Sequence, residues 1–422
     1  MVEVNEVSKV GLGTYRMDLN YLDVLKYAID QGYNLIDTAS NYRGGESEKM
    51  IGYFLKNHSH YRSKMFIISK VGYIPFDLKK SNQLKEFLST NRIEKSTIQT
   101  DFDFSIDPEF IDFQINQSLS RMNIDQIDAY LLHNPERILS SRIPTGKQAL
   151  SSRIYKAFIK LEQLVEQGKI RYYGISSNVC FDPKDEISID IQEIAKLASS
   201  INEHHHFKFI QFPFNFKEQM ARDKTYAGKS LIEFAKLNNL VTIGNRPLNM
   251  NDNDHEFRFV DYSDRYSDFN EPLSDQGFIE FEKLVEERLK QATEQNMRML
   301  DFEPTKILSL ARKQFQSTTG VDNFFNNQLL PFFKTFCENP QDPIYKKSSD
   351  IARDMKLFAM RNMTIKSKKM MASLGSIGVE EKENYPLTAV KYYLDNVGLD
   401  HVLMGMRKKE YIDDLGKEFI AQ

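Results

Sequence analysis

Apolar residues in this chain come in short runs, and between the runs the apolar positions recur at helical spacing. The runs are KVGLG (9–13), YNLID (33–37), MFIISK (65–70), QIDAYLLH (126–133), IRYYGISS (170–177), FKFIQF (207–212), LVTIGN (240–245) and HVLMG (401–405). Each reads as a strand. Leu22, Leu25 and Ile29 share one helical face in NYLDVLKYAIDQGY, with Gly32 as its stop, and Ile154, Phe158, Leu161 and Val165 stripe RIYKAFIKLEQLVEQG. Further helices are expected near 45–57, 107–122, 187–200 and 229–239, in LTAVKYYLDNVG and in KEYIDDLGKEF.

Strands alternating with helices imply an α/β chain with a parallel sheet, and eight such units close a (β/α)8 TIM barrel. The competing open, doubly wound sheet more often shows Gly-x-Gly-x-x-Gly after its first strand, and GLGTYR lacks that pattern. Two insertions, 71–106 and 251–384, follow strands, so a barrel carries them on its C-terminal face, where loops build sites. The second, after the seventh strand, is helical in pattern: Phe278, Phe281, Leu284, Val285 and Leu289 recur in FIEFEKLVEERLKQA, and SLARKQF, LLPFFKTF and DIARDMKLFAMRNM follow. The expected organisation is barrel strands 1–7 in 1–250, a helical lid or subdomain in 251–384, and a final helix, strand 8 and C-terminal helix in 385–422. A partner-binding module is the alternative reading of 251–384.

Composition narrows the partners. The 422 residues fit one large barrel or two domains. Lys+Arg 56 against Asp+Glu 59, net −3, leaves no basic excess for nucleic acid or an anionic membrane. No secretory h-region stands in MVEVNEVSKVGLGTY and no stretch reaches membrane-spanning length without charges, so a soluble cytoplasmic protein is expected. Cys180 and Cys337 are too few for a disulfide framework and lack zinc-ligand spacing; Cys180 reads as an inert buried thiol. His204, His205 and His206 are consecutive, and consecutive residues rarely converge on one ion, so a solvated loop and no metal are expected.

The strand ends carry the candidate chemistry. Thr14, Asp37, Lys70, His133, Ser176, Ser177, Gln211, Arg246 and Arg407 lie there, and a barrel brings them to one rim. Any one of them is ordinary at a strand end. Asp37, Tyr42, Lys70 and His133, from three consecutive strands, are informative together. Tyr holds its proton to a pKa of about 10 and can donate it. A nearby ammonium favours the phenolate and so makes Tyr42 a better acid. Asp37 would pair with Lys70, and His133 would orient a carbonyl oxygen. Such a site polarises a carbonyl and delivers a proton to oxygen. It lacks a hydride, which a cofactor must supply.

The segments GLGTYR, DTASNY, GGESEKMIG, ISKVG, DAYLLHNPE, GKIRYYGISSN, QFPFN and MGMRKKEYIDD resemble those of the aldo-keto reductase family, in family order from residue 9 to about 415. The resemblance implies a (β/α)8 barrel using NADPH, with NADH as the alternative, on a small-molecule carbonyl: an aldehyde, ketone or sugar. It implies Tyr42 as acid/base with Asp37, Lys70 and His133, the nicotinamide carboxamide on Ser176, Ser177 and Gln211, and the adenosine phosphate on Gly405, Arg407 and Lys408; Asn178, displaced by one from the family's Ser-Asn pair, is also counted in the cofactor set. Gly13 and Thr14 join the cofactor set through GLGTYR. Where the family usually stacks an aromatic residue on the nicotinamide, this chain has Asn245 and Arg246; Arg246 is expected to stack through its guanidinium or to bind phosphate. Some relatives serve as channel subunits. A nucleotide-binding interaction subunit, docking a protein partner through the inserted helices, is therefore the second expectation.

Overall fold

The computed structural model describes residues 2–75, 82–90, 104–139, 146–179, 181, 185–252, 255–294, 304–337, 339–377, 379 and 384–420. Cys180 and parts of both insertions lie outside them. The chain forms two compact units, Met1–Pro247 with Ala389–Gln422, and Leu248–Thr388.

The first unit is a closed, all-parallel eight-stranded barrel. Its strands are β1 (Val10–Gly13), β2 (Leu35–Asp37), β3 (Phe66–Val71), β4 (Ile127–His133), β5 (Ile170–Ser176), β6 (Phe207–Pro213), β7 (Val241–Asn245) and, from the far end of the chain, His401–Met404 between β7 and β1. The expected (β/α)8 barrel with a large helical insertion after its seventh strand is therefore the fold. The core fills the barrel from below: Val2 and Val7 of the N-terminal segment pack with Leu35, Phe66, Ile68, Ala129, Leu131 and Phe209. Asp128, wholly buried near the start of β4, is paired by Arg62 at 2.9 Å and Arg171 at 3.2 Å.

Helices α1 (Leu22–Asp30), α2 (Glu46–Asn57), α3 (Asn82–Thr90), α4 (Pro108–Met122), α5 (Lys147–Glu166), α6 (Ile191–Ile201) and α7 (Leu231–Leu237) belong to this unit. Several begin on the caps the sequence offers: Asp107 accepts from Glu109 N–H, Asp190 from Gln192 N–H, and Ser230 and Glu233 form a capping box. Two glycines are imposed by close approach. A Cβ on Gly52 of α2 would stand 2.0 Å from the Arg121 carbonyl of α4. A Cβ on Gly174 would stand 2.0 Å from the Phe209 carbonyl, where the β5–β6 register shifts between Tyr173 and Gly174. The C-terminal helix is shorter than expected, Lys409–Asp413, because the chain turns down onto α1, where Tyr27 donates to Asp413 and Tyr33 to the Gly416 carbonyl.

The second unit opens on an element that its sequence pattern did not suggest, an antiparallel hairpin of Asn249–Asp252 and His255–Arg258 with Met250 opposite Phe257. Helices Glu271–Glu294, Thr305–Ala311, Thr318–Phe324, Leu330–Phe333 and Pro343–Leu374 follow. Their core is aromatic, with Phe278, Phe281, Phe324, Phe325, Phe332 and Phe333 buried around Leu308, Ile344 and Met355. Ion pairs lace the outside, Lys313 and Arg361 meeting Glu271 at 2.7 and 2.8 Å.

Candidate active site

Side chains along a barrel strand alternate between the interior and the helical shell. The interior series can be followed upward from the core: Leu35 to Asp37, Phe66 and Ile68 to Lys70, Ala129 and Leu131 to His133, Phe209 to Gln211, and Val241 and Ile243 to Asn245. Each series is apolar until its last member. A layer of polar side chains thus closes the core at the C-terminal mouth.

Within that layer the Lys70 ammonium is wholly buried. It donates to both oxygens of Asp37 at 2.7 Å, to the Thr38 carbonyl at 3.0 Å and to the Tyr42 hydroxyl at 3.2 Å. Asp37 also accepts from Gln211 Nε2 at 2.8 Å, and Gln211 Oε1 accepts from the Ser176 hydroxyl at 2.8 Å. Tyr42 begins the short turn Tyr42–Gly45, in which Arg43, Gly44 and Gly45 take positive φ. The turn is tied down by Arg43 to Asp18 at 2.9 Å. Edge-on rings hold the phenol on two sides, Tyr15 at 5.1 Å and His133 at 5.9 Å between centroids.

The protonation states follow from burial. Desolvation, with the Asp37 charge and the neighbouring Tyr15 and Tyr73 phenols, holds Tyr42 well above its ordinary value, and Arg246 pulls the other way. The net shift is upward because loss of solvent outweighs the neighbouring positive charge. Burial pulls Lys70 below its usual value, against the opposing pull of Asp37. His133 is pushed far down by burial and by the charges of Lys70 and Arg137, so it is a neutral imidazole at neutral pH.

Sequence reasoning missed Tyr73, which braces His133, and Glu136 beyond it. Tyr73, two positions past β3, stacks edge-on against it at 4.9 Å and accepts from Asn134 at 3.0 Å and Arg137 at 2.8 Å. Glu136 is 5% exposed, and its Oε1 accepts from the Ser177 hydroxyl at 3.1 Å and from Asn178 N–H at 3.0 Å. Its Oε2 has no partner among the described residues, and burial pushes the carboxyl up to about 7. The HNPE run held the signal: a carboxylate three residues beyond a strand-end histidine.

The other expected site residues separate into groups. Ser176 and Gln211 join the quartet, whereas Ser177 turns its hydroxyl to Glu136. Asn178 is exposed and accepts from Arg246 at 3.4 Å, spanning the ends of β5 and β7. Gly13 pairs in register with Asp37, and the Thr14 hydroxyl donates to the Asp37 carbonyl while accepting from Ser47 at 2.6 Å, so Thr14 fastens α2 behind the mouth. Gly405, Arg407 and Lys408 follow the last barrel strand, with open space at Gly405; among the described residues no hydrogen bond joins them to the quartet. His206 pairs with Glu162 at 2.9 Å. Among the described residues no group of three His, Cys, Asp or Glu could hold a metal, and no helix is long and apolar enough to cross a membrane.

A phenol, an ammonium, a carboxylate and an imidazole thus meet at the mouth of a parallel barrel. The model of the aldo/keto reductase family matches residues 9–251, and the chain belongs to that family. The chain is 24% identical over 247 residues to aldo-keto reductase YhdN of Bacillus subtilis, covering 56% of this chain and 57% of the relative. It is 29% identical over 153 residues to aldo-keto reductase yakc [NADP(+)] of Schizosaccharomyces pombe, covering 36% and 35%. The chain thus spans about half the length of the curated relatives it matches. Among solved structures, an aldo-keto reductase from Klebsiella pneumoniae in complex with NADPH matches at 20% identity and TM-score 0.35, covering 56% of this chain and 63% of that one.

Proposed function

We propose that the protein is an NADPH-dependent reductase of aldehydes, ketones or sugars, working in reverse as an alcohol dehydrogenase, with Tyr42 as the proton donor. The observation that carries the reading is the 3.2 Å contact from Lys70 to the Tyr42 hydroxyl, with Lys70 itself clamped on Asp37. Tyr42 keeps its proton at neutral pH and gives it up as charge develops on a substrate oxygen. Lys70 stabilises the phenolate left behind. Asp37 and Gln211 hold the ammonium in line. Neutral His133 donates a hydrogen bond to the same oxygen and orients it, with Tyr73 fixing the plane of its ring.

A dinucleotide bound at the mouth would supply the hydride. A carboxamide needs both an acceptor and a donor, and the residues fit it. Among the described residues Asn245 Oδ1 is buried without a partner, and Ser176 and Gln211 each bring a second hydrogen-bonding position. Ser177 and Asn178 shape the adjoining loop, Gly13 and Thr14 the wall, and Gly405, Arg407 and Lys408 would take the adenosine phosphate, two cations suiting a 2′-phosphate. NADP in a relative's printed name and NADPH in a matched structure support NADPH over NADH.

The test is a titration with NADPH and NADH, followed by a panel of carbonyls with the tighter cofactor. The chain contains no Trp, so the nucleotide's own emission is followed. Saturable NADPH binding with turnover supports the reading. Binding without turnover across a broad panel would leave a nucleotide-binding interaction subunit in its place.

A further inference from the structure

Arg246 stands at the mouth, directly after β7, with φ 54. That conformation is uncommon for a side-chain-bearing residue, and doubly so before a proline such as Pro247. Strain of this kind persists where the surroundings hold it, and it is concentrated at binding sites. Here the Arg246 carbonyl accepts from Asn215 Nδ2 at 3.3 Å, while the guanidinium is exposed and reaches across to Asn178 at 3.4 Å. Among the described residues no carboxylate forms an ion pair with it. Its charge reaches the catalytic phenol all the same, since it draws Tyr42 downward.

Among the described residues the charge balance of the mouth is lopsided. Lys70, near the end of β3, and Arg137 and Arg246, beyond the ends of β4 and β7, bear on Tyr42 and His133. Against them stand Asp37, already held by Lys70, and Glu136, which burial leaves partly neutral near pH 7. The cofactor brings no anion to this end, because a reduced nicotinamide is neutral and an oxidised one positive. Arg246 was expected among the cofactor-holding residues, but a guanidinium beside the reacting carbonyl is better matched by an anion on the substrate.

Resting on the reductase reading above, we propose that Arg246 is a specificity-determining residue that binds an anionic group, carboxylate or phosphate, carried by the carbonyl substrate. A guanidinium presents two parallel N–H donors to either group, and such charge-assisted pairs are the strong ones. The oxygen to be protonated then lies toward Tyr42 and His133, with the anion toward β7.

The experiment uses the full chain loaded with NADPH and three matched pairs: 4-oxobutanoate against butanal, glucuronate against glucose, and glyceraldehyde 3-phosphate against glyceraldehyde. The expected result is that wild type favours the charged member of a pair in kcat/KM by about 30- to 100-fold. Arg246→Gln collapses that ratio toward one, mainly through KM, while Arg246→Lys keeps part of it. The phosphate pair against the two carboxylate pairs tells which anion is taken. NADPH affinity, titrated in parallel, separates the roles. If Arg246→Gln weakens NADPH by the same factor as the substrate, the residue belongs to the cofactor and the proposal falls. It falls equally if wild type shows no preference for charge, or if the variant keeps it. Should no carbonyl be reduced, the reductase reading fails by itself. Calorimetry with succinate then decides for Arg246: binding that is lost in Arg246→Gln supports anion recognition, and no binding to wild type overturns it.

Discussion

In the barrel, Lys70, Glu48 and Asp128 are wholly buried and Asp37, Glu136 and Glu162 nearly so; in the inserted unit, the buried polar side chains among the described residues are hydroxyls, Ser274, Thr305, Ser348, Thr364, Ser367 and Thr388. A hydroxyl inside a helical bundle is satisfied cheaply, as Ser348 is by the Tyr345 carbonyl at 2.8 Å. What remains for that core is to fill volume, and phenylalanine does so. A buried charge must be met by a partner or it destabilises the fold. The barrel meets all of these but Glu136, whose Oε2 has no partner among the described residues: Glu48 with Arg121, Asp128 with Arg62 and Arg171, Glu162 with His206, Asp37 with Lys70. Burial of charge therefore does not by itself mark the site. The mouth differs because, after Asp37 and Lys70 are paired, a phenol, an imidazole and a guanidinium still face outward.

This contrast can be broken or sharpened by substitution. Lys70→Met leaves Asp37 buried with Gln211 as its remaining side-chain partner and should lower stability by about 3–5 kcal/mol in denaturant titration. Adding Asp37→Asn should recover part of that loss, and a single variant as stable as wild type would break the pairing argument. In the insertion, Phe333→Ala empties a wholly buried ring position and should lose about 3–5 kcal/mol by the cavity route, with no charge involved. Calorimetry of the two variants over a range of pH separates the mechanisms, since the deficit of Phe333→Ala should not change with pH.

Glu136 gives a smaller effect with a definite sign. Its folded pKa, about 7, lies above the ordinary 4.5, so between those values the folded state holds the extra proton. Wild type should then lose on the order of 2–3 kcal/mol relative to Glu136→Gln as pH rises from 4.5 to above 7. Parallel pH–stability curves for the two proteins would contradict it. Smallest of all is Lys347→Ala, which removes an exposed pair with Glu280 on the insertion; its melting temperature should match wild type.

The parts that were legible in the sequence are those fixed by local periodicity. Strand ends could be read because an apolar run stopping at Asp37, Lys70 or His133 places that residue one step above the core, whatever the neighbouring strands do. Tyr73, Glu136 and Arg137 could not be read in this way, since they lie past the strand ends, where loop conformation rather than parity sets direction. The net direction of the Tyr42 shift could not be read, because a neighbour's charge is visible in a sequence and the depth of burial is not. The hairpin Asn249–Asp252 with His255–Arg258 was hidden by its length, four residues a side, too short for alternation to show.

The central claim is that Tyr42 delivers the proton from within the quartet at the mouth. Its most direct test is the single-turnover rate of NADPH oxidation by Tyr42→Phe, set against wild type with the same aldehyde. The account predicts a fall of about 10³-fold or more, with NADPH affinity nearly intact. A variant that turns over at the wild-type rate would contradict it.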